Sequence, residues 1–299
     1  MSSDTSPGPR VAIAGASGKL GRRTAELLLE RHGAQEPILV TRTPDAVADL
    51  ARAGAVVRRG DYDEPESLRE AFAGAERLLL ISASDLEVRV RQHRAAIDAA
   101  RQAGVRHVVY TSALRPEPPN PAAIAPSHHA TELALAESGM DRTILRNSLY
   151  SEYQAPEASA AIAGGVLTHN RGDGRIAYVS REDCAAVCAV VLSSPGHEGA
   201  VYDVTGPEAF DAAGLARLYG ELGGRTIETE ALDDETFAER IGAAAGDDDH
   251  ARYGALLVTS LGRAVREGYM AACSDVVERL TSRPARTLRE VLAADESLR

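Results

Sequence analysis

The architecture of this chain is read most directly from VAIAGASGKLGRR, residues 11–23. An apolar run of strand type leads into three glycines spaced three residues apart, and a Leu-rich segment follows them. This pattern predicts a strand, a tight turn and the start of a helix whose free N–H groups attract an anion. Gly15 would allow the turn, Gly18 would let backbone amides approach a pyrophosphate, and Gly21 would let the helix pack closely. A tight turn that binds no ligand is the alternative.

Short apolar runs alternate with helix-patterned segments along the first half of the chain. We predict strands at 10–14, 37–41, 55–59, 77–82, 107–112 and 142–146, with one more within 199–206. This alternation is typical of a parallel sheet covered by helices on both faces. After residue 147 the pattern becomes mainly helical. The predicted fold is therefore α/β, a doubly wound Rossmann-type parallel sheet with a smaller, mainly helical C-terminal substrate lobe.

The end of the second predicted strand indicates which dinucleotide the turn would hold. An NAD site usually carries a carboxylate there, for the ribose 2′-hydroxyl, but this chain has Thr41 and Arg42. Arginine suits a 2′-phosphate, and Lys19 in the turn adds a second positive charge. Arg42 as a plain surface charge is the alternative. We expect NADPH as the cofactor, with NADH bound more weakly. Cofactor contacts are predicted from Gly15, Ala16, Ser17, Gly18, Lys19, Leu20, Gly21, Thr41 and Arg42.

These assignments divide the chain. The predicted units are a flexible tail at 1–9, an NADP-binding Rossmann domain at 10–147 with late sheet elements near 176–206, and a substrate-binding lobe at 148–175 and 207–299. The sequence leaves open whether residues 230–275 form a lid.

Composition excludes several classes of function. The formal net charge of −11 argues against nucleic acid as a partner, since such binding needs a clustered basic surface. No apolar run has the length of a membrane span, and the first nine residues do not resemble a secretion signal. Cys184 and Cys188 are predicted to be reduced core thiols of a cytoplasmic protein. Aspartates 233–234 and 247–249 are interpreted as solvated loop charge, and no metal is expected.

The chain resembles the NmrA-like branch of the atypical short-chain dehydrogenase/reductases, and within it the bacterial NADPH-dependent quinone oxidoreductases of type 2. The similar stretches are GASGKLG, GDYDEPESL, LLLISAS, QHRAAIDAARQAGVRHVVYTSAL, LRNSLYSEY and GHEGAVYDVTG, between residues 11 and about 206. They follow one another in the order that the family shows, whereas the last hundred residues match only loosely.

The resemblance implies roles for residues beyond the glycine turn. Asp61 and Tyr62 would contact the adenine side, and Ser82 and Ala83 would line the nicotinamide ribose. Thr111 and Ser112 would end the fifth strand, and Asn147 and Tyr150 would lie beside the nicotinamide. The alternatives are that Asp61 caps a turn and that Thr111 and Ser112 satisfy backbone groups.

A proton donor is less evident than the cofactor turn. The Tyr-x-x-x-Lys pair of typical short-chain reductases is missing from the segment after the fifth strand. His128 and Glu132 are four residues apart and would share a helix face there. We expect catalytic roles for His128 held by Glu132, for Ser112 as a group that polarises the substrate oxygen, and for Tyr150. The alternative is a partly solvated helix surface that includes His128, His129 and Glu132.

The missing pair indicates the substrate. Hydride addition to an ordinary ketone forms an alkoxide, whose conjugate acid has a pKa near that of water, about 15.7. Addition to a quinone forms a phenol-like anion with a pKa of roughly 10, so that the anion is more stable by about 8 kcal/mol. We therefore predict reduction of a quinone or a quinone-like polycyclic aromatic ketone by a monomer or homodimer. A secondary-metabolite ketoreductase is a variant, and a non-catalytic NADP(H)-binding redox sensor is the alternative.

Overall fold

The computed structural model describes residues 8–30, 36–245 and 249–298. Its strands are β1 (Val11–Ala14), β2 (Ile38–Thr41), β3 (Val56–Arg59), β4 (Arg77–Leu80), β5 (His107–Ala113), β6 (Asp141–Asn147), β7 (Val166–His169), β8 (Val201–Val204) and β9 (Glu228–Ala231). The main sheet has the order β3-β2-β1-β4-β5-β6-β8, and every pairing in it is parallel. Strand order reverses between β1 and β4, which is the point where doubly wound sheets bind ligands. All seven strands predicted from the sequence are present, and the predicted fold class is confirmed.

Some helices cover both faces of this sheet and the others form most of the C-terminal part of the chain. They are α1 (Lys19–Leu29), α2 (Ala48–Arg52), α3 (Pro65–Phe72), α4 (Leu86–Gln102), α5 (Ala125–Glu137), α6 (Ala155–Gly164), α7 (Arg181–Ser193), α8 (Ala212–Gly223), α9 (Asp234–Ala245), α10 (Asp249–Arg266), α11 (Val276–Thr281) and α12 (Leu288–Ala293). Short 3-10 turns at Pro44–Val47, Ser151–Gln154 and Glu296–Leu298 complete the described elements.

The core follows from the strands being buried on both faces. Ile13 and Leu79 face one side, where α1 and α7 pack, and both are fully buried. Their neighbours Ala12, Leu78 and Tyr110 face the other side, which α3, α4 and α5 cover. Side chains alternate between faces along a strand, so a continuous apolar run is what a doubly covered sheet requires.

A second core lies in the C-terminal part, between α6, α8 and the two-stranded parallel sheet of β7 and β9. Helix α10 packs against the segment before α5, where Ala264 contacts Ala122 and Ala125. The structure departs from the predicted division at α11. Val276 and Val277 pack with α7 in the core of the main sheet, because this short helix covers the edge beside β8. The rest of the predicted division stays a proposal.

Other sequence predictions meet the structure in different ways. Cys184 and Cys188 are buried, unpaired thiols on α7, as predicted. Among the described helices, none combines the length and the apolar character that a membrane span requires. Residues 1–7 of the predicted tail, and Asp247 and Asp248, lie outside the described residues.

Candidate cofactor and substrate site

The glycine turn after β1 has the geometry that its sequence predicts. Gly15 adopts a positive φ of 83°, and its N–H and that of Ala16 donate to the Val40 carbonyl at 3.1 and 3.2 Å. A Cβ on Gly21 would lie 2.5 Å from the Gly15 carbonyl oxygen. Such a contact is too short for any side chain, so glycine is required where α1 crosses the turn.

The start of α1 is open to an anion. Its N-cap is Gly18, which offers no side chain to cap the helix, and the first turn contains no acidic residue. The first N–H groups of a helix have no intrahelical partner, and the helix dipole favours negative charge there. Ser17, Gly18 and Lys19 are exposed, so a pyrophosphate can approach these amides.

At the end of β2, one polar side chain forms hydrogen bonds within the protein and the next one does not. Thr41 is buried, and its hydroxyl donates to Ser17 Oγ at 2.9 Å and accepts from the Thr43 N–H at 3.1 Å. It therefore fastens the strand to the glycine turn. Arg42 is exposed and forms no hydrogen bond or ion pair within the described part of the chain, and the same is true of Lys19. Two unpaired cations on this edge fit a phosphate.

The predicted adenine-side residues have structural roles. The Asp61 carboxylate accepts from the Asp63 N–H at 3.1 Å, so that the turn-capping alternative is realised. The Tyr62 hydroxyl donates to the Ile81 carbonyl at 3.1 Å, and burial raises the pKa of this hydroxyl. Both residues hold the loops at this edge of the sheet, and contact with an adenine stays a prediction.

The loop after β4, predicted to line the nicotinamide ribose, is held by buried side chains. Thr111 Oγ1 accepts from the Ser82 N–H at 3.0 Å, as the structural alternative for Thr111 describes. His93 Nε2 accepts from the Ala83 N–H at 3.0 Å, and Arg89 Nε donates to the Ala83 carbonyl at 2.6 Å. Sequence reasoning missed Arg89 and His93, although their spacing of four on the buried face of α4 could have indicated them.

His128 and Glu132 do not form the predicted pair. Glu132 accepts a 2.6 Å hydrogen bond from Ser112 Oγ and binds Arg146 through both oxygens, at 3.0 and 2.6 Å. Arg146, at the end of β6, also pairs with Glu117, and sequence reasoning missed it. Because Ser112 already donates to a carboxylate, its hydroxyl is not free to polarise a substrate oxygen in this arrangement.

His128 faces the interior and is 5% exposed, so it is not part of a solvated helix surface, and its role as a proton donor stays a prediction. Its Nδ1 lies 2.8 Å from the Tyr110 hydroxyl, and Arg89 Nη1 donates to its Nε2 at 3.3 Å. Burial, and then the charge of Arg89, lower the pKa of His128 well below the usual range. A neutral imidazole with both nitrogens engaged is a poor proton donor at neutral pH.

Asn147 and Tyr150 lie together at the end of β6. The Asn147 amide nitrogen approaches the Tyr150 hydroxyl at 3.4 Å, while Asn147 Oδ1 is buried without a hydrogen-bond partner among the described residues. Such an acceptor needs a donor from outside, and a nicotinamide carboxamide is a donor of the right kind. Burial raises the pKa of Tyr150, whose ring lies 5.7 Å from that of Tyr153. Tyr153 is 62% exposed and offers an aromatic wall.

Together these features fit a nicotinamide dinucleotide. The glycine turn leaves room that a Cβ would fill, the start of α1 is uncapped, two cations are unpaired, and Asn147 offers an orphaned acceptor. All of them lie at the carboxyl ends of parallel strands, which meet at one edge of the sheet.

Comparison with known proteins agrees with this geometry. The model of a family described as NAD(P)H-binding matches residues 15–195. The chain is 40% identical over 228 residues to quinone oxidoreductase 2 of Escherichia coli, covering 76% of this chain and 79% of that protein. The crystal structure of the NADPH-dependent E. coli quinone oxidoreductase complexed with NADPH aligns with a TM-score of 0.88 and 35% identity, over 95% of this chain and 98% of that one. The triphenylmethane reductase of Citrobacter sp., complexed with NADP(H), aligns with a TM-score of 0.85 and 30% identity, over 95% and 98%.

Proposed function

The chain belongs to the NAD(P)H-binding family and is an NAD(P)H-dependent oxidoreductase of the NmrA-like type, and we propose that it transfers hydride from NADPH to a quinone or a quinone-like aromatic ketone. The E. coli and Citrobacter proteins described above are named an oxidoreductase and a reductase, which favours the enzyme over the redox sensor. The main support for this substrate class is that the residues predicted to donate a proton are already bound by neighbouring groups or buried.

None of the predicted donors Ser112, His128 and Tyr150 is a strong acid in this arrangement. Ser112 is bound by Glu132, His128 is buried and neutral, and burial raises the pKa of Tyr150. An alkoxide product needs a proton donor in the transition state, whereas a hydroquinone anion is stable enough to form without one. Positioning against the nicotinamide then supplies most of the rate enhancement. A polycyclic ketone whose oxygen is hydrogen-bonded to a neighbouring phenol meets the same requirement.

The residues divide the work of holding cofactor and substrate. The Gly15–Gly21 turn and the start of α1 would bind the pyrophosphate, and Arg42 with Lys19 would bind the 2′-phosphate. Asn147 Oδ1 would orient the nicotinamide carboxamide. NADPH supplies the hydride when bound. Tyr153, exposed beside Tyr150, would form a wall for a flat aromatic acceptor.

Several finer assignments belong to the same proposal. The partner would be a small aromatic molecule, and the protein would act as a monomer or homodimer in the cytoplasm. Two buried, unpaired cysteines on α7 agree with a reducing compartment.

The test is NADPH oxidation by the purified protein, with menadione, a polycyclic aromatic ketone and cyclohexanone as acceptors and NADH in parallel. We expect saturable turnover of the quinone or the aromatic ketone, a preference for NADPH, and no measurable turnover of cyclohexanone. Equal turnover of cyclohexanone would contradict the substrate class. Tight NADPH binding without oxidation in the presence of any acceptor would favour the sensor.

A further inference from the structure

Two residues of α4 form hydrogen bonds with the turn of residues 82–84, which connects β4 to α4. His93 accepts from the Ala83 N–H at 3.0 Å, and Arg89 donates to the Ala83 carbonyl at 2.6 Å. Arg89 Nη2 also reaches the Ser84 carbonyl at 3.4 Å. Both polar groups of one peptide residue are thus fixed by side chains one helical turn apart.

The same two side chains are anchored on α5. His93 Nδ1 lies 2.9 Å from Thr131 Oγ1, and Arg89 Nη1 donates to Ser127 Oγ at 3.1 Å. Since His93 Nε2 accepts from a backbone N–H, the ring proton must be on Nδ1 and is donated to Thr131. Ser127 and Thr131 are also four residues apart, so two parallel chains of hydrogen bonds connect the turn to α5.

Arg89 is unusual because it is buried with no carboxylate of the described residues within ion-pair distance, although the charge of Asp85 acts on it from further away. It is 5% exposed, and it forms no ion pair with any residue that the structure describes. Its acceptors are two carbonyls, a hydroxyl and an imidazole, all of them neutral. Burying a guanidinium without a carboxylate is costly, and an apolar side chain would fill the space at lower cost. What an apolar side chain could not do is fix two carbonyls with one rigid, planar group of donors.

The turn itself lies next to the cofactor turn. Ile81 Cβ is the atom that a Cβ on Gly15 would meet, at 3.6 Å, and Thr111 at the end of β5 holds the Ser82 N–H. Residues 82–84 therefore lie at the carboxyl edge, flanked by the glycine turn on the β1 side and by β5 and Asn147 on the other.

We propose that Arg89 and His93 are positioning residues that fix the 82–84 turn in the orientation that receives the nicotinamide half of NADPH, a role that rests on the proposed function. The pyrophosphate and adenosine half would lie on the β1 to β3 side of the switch point, where Tyr62 meets the His93 ring edge-on but donates its hydrogen bond to Ile81, outside the turn. Removing the hydrogen bonds from Arg89 and His93 to this turn should therefore weaken the binding of the two halves of the cofactor to different extents.

The experiment compares the dissociation constants of NADPH and of 2′-phospho-ADP-ribose, which lacks the nicotinamide. Arg89→Met and His93→Phe should each weaken NADPH about tenfold and change 2′-phospho-ADP-ribose less than about twofold, since each removes a hydrogen bond to the turn. His93→Gln should restore most of the loss, because its amide can accept from Ala83 and donate to Thr131. Arg94→Met, an exposed arginine of the same helix, is the matched control and should leave both constants unchanged.

Thermal melting shows which variants remain folded. If the two α4 variants are unfolded, Thr131→Val is a second and less disruptive variant. It removes the α5 anchor of His93 at nearly constant shape and should weaken NADPH about threefold with the same selectivity. Equal weakening of both ligands would show a merely structural role and overturn the proposal, as would unchanged NADPH binding in folded variants. A wild type that never oxidises NADPH, combined with selective loss in the variants, would reject the proposed function and leave the positioning role intact.

Discussion

The two halves of the carboxyl edge differ in how their polar groups are satisfied. Around the glycine turn, Gly18 leaves the start of α1 uncapped, and Arg42 is exposed and forms no hydrogen bond or ion pair within the described part of the chain. At the end of β5 and on α5, Ser112, Glu132 and His128 are buried or nearly so and already bound to neighbouring side chains. We call the half around the glycine turn open, because its polar groups lack protein partners, and the half at β5 and α5 closed, because most of its polar groups have them.

This difference indicates where the ligand supplies the missing partner. A polar group that protein atoms do not satisfy is a binding group, whereas a satisfied one orders the structure around it. Asn147 Oδ1, Ser148 Oγ and Ser151 Oγ, at and just after the end of β6, are exceptions, because each is buried without a hydrogen-bond partner among the described residues. Of the three, Asn147 Oδ1 is the amide acceptor that a nicotinamide carboxamide can satisfy, so we expect it to contact the cofactor directly.

Among substitutions in the open half, we expect the largest loss of NADPH affinity from Gly21→Val. The new Cβ would lie 2.5 Å from the Gly15 carbonyl oxygen, so α1 must move away from the turn that binds pyrophosphate. We expect the dissociation constant of NADPH to rise about a hundredfold, as overpacking at a rigid backbone contact does. Isothermal titration calorimetry measures it. Gly164→Ala on α6, with no atom within 4 Å of the new Cβ, is the control that should leave binding unchanged. Unaltered affinity in a folded Gly21→Val protein would show that the turn binds no ligand.

A smaller effect is expected from Arg42→Ala. If the guanidinium binds the 2′-phosphate, its removal should weaken NADPH about twentyfold and leave NADH within about twofold, since only a charge-assisted hydrogen bond is lost. Lys19→Ala should show the same direction with a smaller factor. Equal losses for the two dinucleotides would return Arg42 to the surface-charge interpretation.

The fold was largely predictable because strands of a covered sheet are apolar along their whole length. The central strands β1, β2 and β4 carry such a run, whereas β3, β6 and β8, toward the edges of the sheet, include charged residues. The Gly15–Gly21 spacing fixes where the first strand ends. β7 and β9 were not predicted. β9 reads ETEA, which has no apolar face, and its pairing with β7 depends on chain folding over some sixty residues.

The site was predictable where the backbone determines it and unpredictable where tertiary contacts do. Gly15, Gly21 and the end of β2 follow from local sequence. Glu132 binds Arg146 of β6 and not His128, its expected partner. Arg146 is within reach because β6 lies next to β5, and the helical spacing along α5 does not reveal this neighbour. Similarly, the burial of His128 depends on Arg89 and Tyr110, which come from α4 and β5.

The closed half is tested by the pH dependence of stability. Burial, and then the charge of Arg89, lower the pKa of His93 to about 3, and burial lowers that of His128 as well. Unfolded histidine has a pKa of about 6.5, so below that pH the unfolded chain binds more protons than the folded one. The free energy of unfolding should be insensitive to these groups above about pH 6.5 and should fall by up to about 1.4 kcal/mol per pH unit for each histidine as the pH drops toward 3. Urea unfolding between pH 8 and 5 measures the slope. His93 faces Arg89, Tyr62, Tyr110 and, through Arg89, His128, and none of these groups gains a proton between pH 8 and 5 in the folded state. His93→Gln should therefore reduce the acid slope by the share of one histidine, up to about 1.4 kcal/mol per pH unit, while the other buried histidines keep theirs. An unchanged slope would show that His93 is not held neutral by the network.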